Sequence, residues 1–240
     1  LSTVFDSSAI AFAIERVTPI GVIDASINGT SVLEISALPD QYGLVEVDVS
    51  AANADGLKAH ITIQVPVFPP QLFVNASAAG VGAGDSWANA FVNLQDALAA
   101  AAPLGAFAPI EIWVARGVYR PDQGAGQTPN DPDATVSLAT GVALYGGFEG
   151  GESALSQRDI INNPTILTGD LGDDDTDADG NSIAESADHI VGENSFHVVT
   201  SPPAIRSFIL DGFTITGGHG RADQVFGSSV LAVGGGGLLN

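Results

Sequence analysis

The chain has no cysteine, which excludes a disulfide framework, a thiol nucleophile and a cysteine-based zinc site. Basic residues are almost as scarce: 7 Lys and Arg stand against 28 Asp and Glu, a formal net charge of −21. Such a surface repels polyanions, so nucleic acid is excluded as a partner. No apolar run approaches the roughly 20 residues that span a bilayer. The four histidines, His60, His189, His197 and His219, have no helical i, i+4 spacing, which argues against a histidine metal site. The Gly-rich stretches at 78–84, 146–151 and 234–237 lack the Lys-Ser/Thr of a phosphate-binding loop and read as corners.

What is present is 240 residues with 45% hydrophobic side chains, enough for one large or two small packed cores. Without disulfides, packing and backbone ladders must supply the stability. The acidity suits an extracellular protein and leaves carboxylates free for divalent cations. The chain opens at Leu1 without Met or a charged-then-apolar signal segment, and closes on Gly-Gly-Gly-Gly-Leu-Leu-Asn at Gly234 to Asn240. Both ends read as cuts through a longer protein, and fraying or aggregation is expected at the second.

Residues 1–68 read as antiparallel β. Short runs at Val32 to Ile35, Gly43 to Val49 and Ala59 to Val65 are rich in β-branched residues and bounded by turn formers. Leu44, Glu46, Asp48 and Ser50 alternate with Val45, Val47 and Val49, one face for solvent and one for a core. Asn28-Gly29 and Asp55-Gly56 supply hairpin-type turns, and Phe68-Pro69-Pro70 marks a domain boundary because proline removes ladder donors. Over about residues 20–67 this order resembles the cadherin-like and immunoglobulin-like repeats of bacterial surface proteins. The resemblance implies a partial antiparallel β-sandwich lacking its first strands.

Residues 69–240 change character. From Trp87 to Ala102 the apolar residues Phe91, Leu94, Ala97, Leu98 and Ala101 recur every three or four positions in an Ala-rich stretch, which predicts one amphipathic helix. Very short strands follow at Ile110 to Val114, Gly117 to Tyr119, Thr135 to Leu138, Val142 to Tyr145, Thr165 to Thr168, His197 to Thr200, Phe208 to Leu210 and Phe213 to Thr216. Their joints, at 115–117, 146–147, 169–170, 211–212 and 217–218, are too tight for helical crossovers. Parallel stacking with sharp glycine corners accounts for them better than a meander, and the helix near the start is placed to cap the apolar bore.

Several phrases then carry a resemblance: Trp87 before the helix, Gly117-Val118-Tyr119-Arg120-Pro121, Leu144-Tyr145-Gly146-Gly147-Phe148, and Leu210 to Gly217 (LDGFTITG). Over about residues 71–240 they resemble the opening of pectin-lyase-like right-handed β-helix proteins of the polymorphic outer membrane protein type. The resemblance implies an all-β chain with a right-handed parallel β-helix and an N-terminal capping α-helix, secreted or associated with the outer membrane. Arg116 departs from the small residue usual before Gly-x-Tyr and implies a solvent-facing corner.

The sharpest chemical signal is acidic. Asp170 to Glu193 holds nine acidic residues and no Lys or Arg, with Asp175-x-Asp177-x-Asp179-Gly180-Asn181 at its centre. Alternate carboxylates followed by glycine match the first half of a calcium loop. Ser186 occupies position twelve and Glu185 falls one place early, so the second half departs from an EF-hand. Two readings stand: Asp175, Asp177, Asp179 and Asn181 bind one Ca²⁺, or the loop is simply solvated. Asp211 and Arg206 loosely imitate the catalytic pairs of lyases and hydrolases, but a corner Asp and a surface Arg explain them far better, and no catalytic residue is assigned. Trp87, Trp113, Tyr119, Tyr145, Phe148 and Phe213 are expected in packing before sugar stacking. Two functions follow: a noncatalytic module for display or adhesion, meeting cell-surface glycans or proteins, and a secreted polysaccharide lyase or glycoside hydrolase whose catalytic coils lie beyond residue 240.

Overall fold

The computed structural model describes residues 10–39, 41–67, 71–105, 108–201 and 208–220, with three further strand pairs of residues near the C-terminus. The chain is all-β, with one α-helix among the described residues. It divides into two compact units, Leu1–Pro69 and Pro70–Asn240. Phe68, Pro69 and Pro70, expected to form the stiff exit, lie outside the described residues.

Among its described residues the first unit has five strands: β1 Ala11–Thr18, β2 Ile23–Ile27, β3 Leu33–Ala37, β4 Gly43–Ala52 and β5 Lys58–Val67. β4 pairs antiparallel with β1 and β5, and β2 pairs with β3. Val45, Val47 and Val49 are buried on the inward face of β4 and pack with Val22 and Ile23, as their alternation requires. Strand β1 was not foreseen. Asn28-Gly29 opens the turn that joins β2 to β3, with Ser31 N–H donating to Asn28 O at 2.9 Å and Ser31, at φ 63°, in the left-handed position. Asn28 Oδ1 accepts the N–H groups of Thr30 and Val32, which fixes that loop locally.

The second unit starts with β6 Leu72–Val74, helix α1 Leu94–Gly105, β7 Ile110–Ala115, β8 Gly117–Tyr119, β9 Val136–Ser137 and β10 Val142–Phe148. It continues with β11 Thr165–Thr168, β12 Val199–Thr200, β13 Ile209–Asp211 and β14 Thr214–Thr216, then β15 Val225–Phe226, β16 Ser229–Val230 and β17 Leu238–Leu239. β15 and β16 pair antiparallel. The other strands form three parallel sheets, ordered β13-β10-β7-β6, β14-β11-β8 and β17-β12-β9. From β7 on, the chain therefore visits the first, second and third sheets in that order three times.

Register aligns like with like. In the first sheet Leu72, Ile112, Leu144 and Leu210 form one column, and Phe73, Trp113, Tyr145 and Asp211 form the neighbouring one. Successive residues point to opposite faces, so the first column joins the apolar interior with buried Ile110 and Val142. Burying each such aliphatic side chain stabilises by about 1.5–3 kcal/mol.

Helix α1 is shorter at its start than the periodicity predicts. Phe91 exchanges backbone bonds with β6, its N–H donating to Phe73 O and its O accepting from Asn75 N–H, at 2.9 and 2.8 Å. That bridge ties the chain at Phe91 to β6, and two bend residues then lead into the helix at Leu94. The helix then buries Leu94, Ala97, Leu98, Ala101 and Leu104, packing against β6 and β7. Gly146-Gly147 is also corrected: the pair lies within β10, at a register shift, instead of turning a corner. A Cβ on Gly146 would come within 2.4 Å of the Gly212 carbonyl oxygen, so close stacking requires glycine there.

Candidate cation site in an acidic insert

Strand β11 ends at Thr168, and the chain leaves the second sheet through Gly169 and Asp170. It returns at Asn194 to enter β12. Asp170 and Asn194 form an isolated antiparallel bridge, flanked by bonds from Leu171 N–H to Glu193 O at 3.0 Å and from Ser195 N–H to Gly169 O at 2.7 Å. Residues 171–193 are thus an insert closed at its base.

Within the insert the acidic side chains serve the backbone. Asp177 Oδ1 accepts the N–H groups of Asp179 and Gly180, and Oδ2 that of Ser182. These bonds, Ser182's foremost, hold the Asp177 carboxyl below its usual range. Asp179 Oδ1 accepts Asn181 N–H at 3.2 Å, and Asn181 Oδ1 accepts Ile183 N–H at 2.8 Å. Glu185 accepts Ala178 N–H at 2.9 Å and sits 2.6 Å from His189 Nδ1. The Ala178 bond is the main reason its carboxyl is also lowered.

The four residues singled out by spacing are not gathered into one group. Asp177 and Asp179 come together with Glu185, whereas Asp175 joins Asp170 and Asp174; in each trio one ligand atom per residue lies within 4.8 Å of the others. Asn181 spends its oxygen on Ile183. The physical reason is the bridge at the base: it draws Asp175 inward, where it accepts Val191 N–H at 2.7 Å and the Asn194 side-chain amide at 3.0 Å. Burial raises the Asp175 carboxyl despite those bonds, and Asp170 and Asp174 push the same way. Asp170 is tied to its neighbours locally, its Oδ1 and Oδ2 accepting the N–H groups of Asp174 and Asp175 at 3.0 and 3.3 Å, whereas Asn194 was missed because only a long-range bridge brings it there. Glu185, one place early for an EF-hand, is brought in by its bond to Ala178.

Arg120, which follows β8, extends toward the base. Its Nε donates to the Asp170 carbonyl at 2.6 Å, and Nη2 contacts Asp173 Oδ1. A cavity of about 100 Å³ is lined here by Arg120, Thr168, Asp170, Asp173, Asp175 and Asp177, among others.

Other candidates fall elsewhere. Asp211 pairs with Arg158 at 2.8 Å, and Arg206 lies outside the described residues. Arg158 also stands 5.1 Å from the Tyr145 ring centre. Trp87, Trp113 and Phe148 pack with Phe73, and Tyr119 is buried, its hydroxyl donating to Ala115 O at 2.9 Å. Arg116 is exposed at its corner, 3.6 Å from Glu149. The glycines at 234–237 lie outside the described residues. No family model, no curated protein and no solved structure matches the chain.

Proposed function

We propose that this chain is a noncatalytic extracellular surface module for display or adhesion. The second unit is read as the opening of a right-handed parallel β-helix of the pectin-lyase-like, polymorphic outer membrane protein type. Helix α1 is its N-terminal cap, and the first unit is a cadherin-like or immunoglobulin-like sandwich serving as spacer. The observation that supports this is the cyclic return of the chain to three parallel sheets in fixed order, the connectivity that stacks repeats into an elongated body. A helix whose apolar face packs on β6, an edge strand of its sheet, suits a cap. Net charge of −21 suits a secreted or outer-membrane-associated location, with glycans or proteins of other surfaces as partners and Ca²⁺ ordering the acidic insert.

Binding of the recombinant chain to panels of glycans and surface proteins tests this reading. Saturable binding without any depolymerisation is expected; absence of binding across both panels overturns it. A second reading, a polysaccharide lyase or glycoside hydrolase, is favoured by Arg158 lying beside both Asp211 and Tyr145. New reducing ends or unsaturated products released from a polysaccharide would select it.

A further inference from the structure

At the base of the insert, a cluster of three carboxylates lies beside a buried amide. Asp170, Asp174 and Asp175 lie within 4.8 Å of one another through one oxygen each. The bonds flanking the Asp170–Asn194 bridge, Leu171 to Glu193 and Ser195 to Gly169, make it a non-hydrogen-bonded pair. In that kind of pair the two side chains stand closest, on one face of the ladder. From this position Asn194 Nδ2 reaches both oxygens of Asp175, at 3.1 and 3.0 Å, and the Gly217 carbonyl at 2.8 Å. Its amide therefore lies against the Asp175 carboxylate, and its residue stands across the bridge from Asp170.

The oxygen of that amide is unanswered. Asn194 is 5% exposed, and its Oδ1 has no hydrogen-bond partner. Turning the amide over would not help, because the oxygen would then face two carboxylate oxygens and a carbonyl. A buried acceptor left without a donor destabilises the fold, and a cation would relieve it.

Charge points the same way. Among the described residues none of the three carboxylates has an ion-pair partner. Arg120, the nearby cation, is engaged by the Asp170 carbonyl and by Asp173.

We propose that Asp170, Asp174, Asp175 and the Asn194 amide oxygen bind one Ca²⁺ at the base of the insert. The donors are all oxygen, the preference of a hard cation, and four of them leave positions for water in a shell of about 6–8. The adjoining cavity of about 100 Å³ has room for about three waters at roughly 30 Å³ each. The site deepens the calcium part of the proposed function and relocates it from the Asp177–Asn181 run; it is independent of whether the module adheres.

The test is calorimetric titration of the chelator-treated chain with CaCl₂, paired with thermal unfolding in chelator and in calcium. One binding event is expected in the wild type, absent in Asp175→Asn and weakened about tenfold or more in Asp174→Asn and Asn194→Ala. Calcium should raise the unfolding midpoint of the wild type and not that of Asp175→Asn. Asp174 is exposed, so its variant keeps the test open if Asn194→Ala fails to fold. The Asp177→Asn, Asp179→Asn double variant should bind like wild type. Absence of binding by the wild type, or loss of binding in that double variant, overturns the assignment. Failure on the glycan and protein panels with calcium binding intact rejects adhesion alone.

Discussion

Phe148 stacks on Trp113 with ring centres 4.7 Å apart and planes 12° from parallel. Trp87 reaches the same cluster, 5.4 Å from Phe148 and 4.7 Å from Phe73. These rings share the column side of the first parallel sheet, opposite the aliphatic interior. The segment around Trp87 is fixed there by a bond from its indole N–H to Glu152 O at 2.8 Å. Phe148 is 0% exposed, so Phe148→Ala should destabilise the second unit by about 3–5 kcal/mol. Denaturant unfolding followed by tryptophan fluorescence checks this, and a loss below 1 kcal/mol would contradict the role of the cluster.

Gly146→Ala should cost about 1–3 kcal/mol through overpacking. The added carbon would lie 2.4 Å from the Gly212 carbonyl oxygen in the neighbouring strand connection and 3.0 Å from Thr165 Cβ, and the backbone oxygen cannot move aside cheaply. Gly151→Ala meets nothing within 4 Å and is the control. Equal thermal midpoints for the two variants would refute the argument.

The Tyr119 hydroxyl is pushed up to about 12 by burial, so it should remain protonated in the fold while an unfolded tyrosine ionises near 10. A raised acid favours its neutral form. Stability should therefore be intact below pH ~10 and fall between ~10 and ~12 as the unfolded chain ionises first. Ultraviolet titration should show one of the three tyrosines silent until the top of that window. Tyr119→Phe removes the donor to Ala115 O and the acceptor for Ala76 N–H, a loss of about 1–3 kcal/mol.

Asp177 has the opposite sign. Its carboxyl is lowered by backbone N–H bonds, so the order it gives the insert is present above the unfolded value of about 3.9 and is lost as pH falls through the lower folded value. Amide exchange at Gly180 and Ser182 should accelerate relative to the sheets as the pH is lowered through that range. Asp177→Ala should show the faster exchange already at neutral pH. Unchanged protection in the variant would show that other contacts order the loop.

How much could be read in advance depended on whether the cause was local. Val45, Val47 and Val49 announce β4 by alternation alone, and the corners at Gly117, Gly212 and Gly217 follow from glycine chemistry at positive φ. Helix α1 was legible in its apolar spacing, but its start was not, since Phe91 is held by Phe73 across the chain. The same limit separates the two halves of the acidic motif. Spacing shows Asp175, Asp177 and Asp179 as equals, whereas the Asp170–Asn194 bridge takes Asp175 out of their company. Strand β1 escaped because its pairing with β4 includes a register shift between Ile14 and Arg16, which blurs strict alternation.

The bridge at Asp170 and Asn194 also bears on how such a chain can change over time. Residues 171–193 leave and re-enter at one point, and β11 and β12 lie in different sheets whose partners come from other turns. Lengthening, shortening or replacing the part of that segment beyond its contacts with Arg120 and Thr216 leaves the sheet pairings in place, provided the two anchoring positions are kept. The position is therefore suited to accept foreign peptides, a graft point where sequence can drift or be engineered while the stacked frame stays in register.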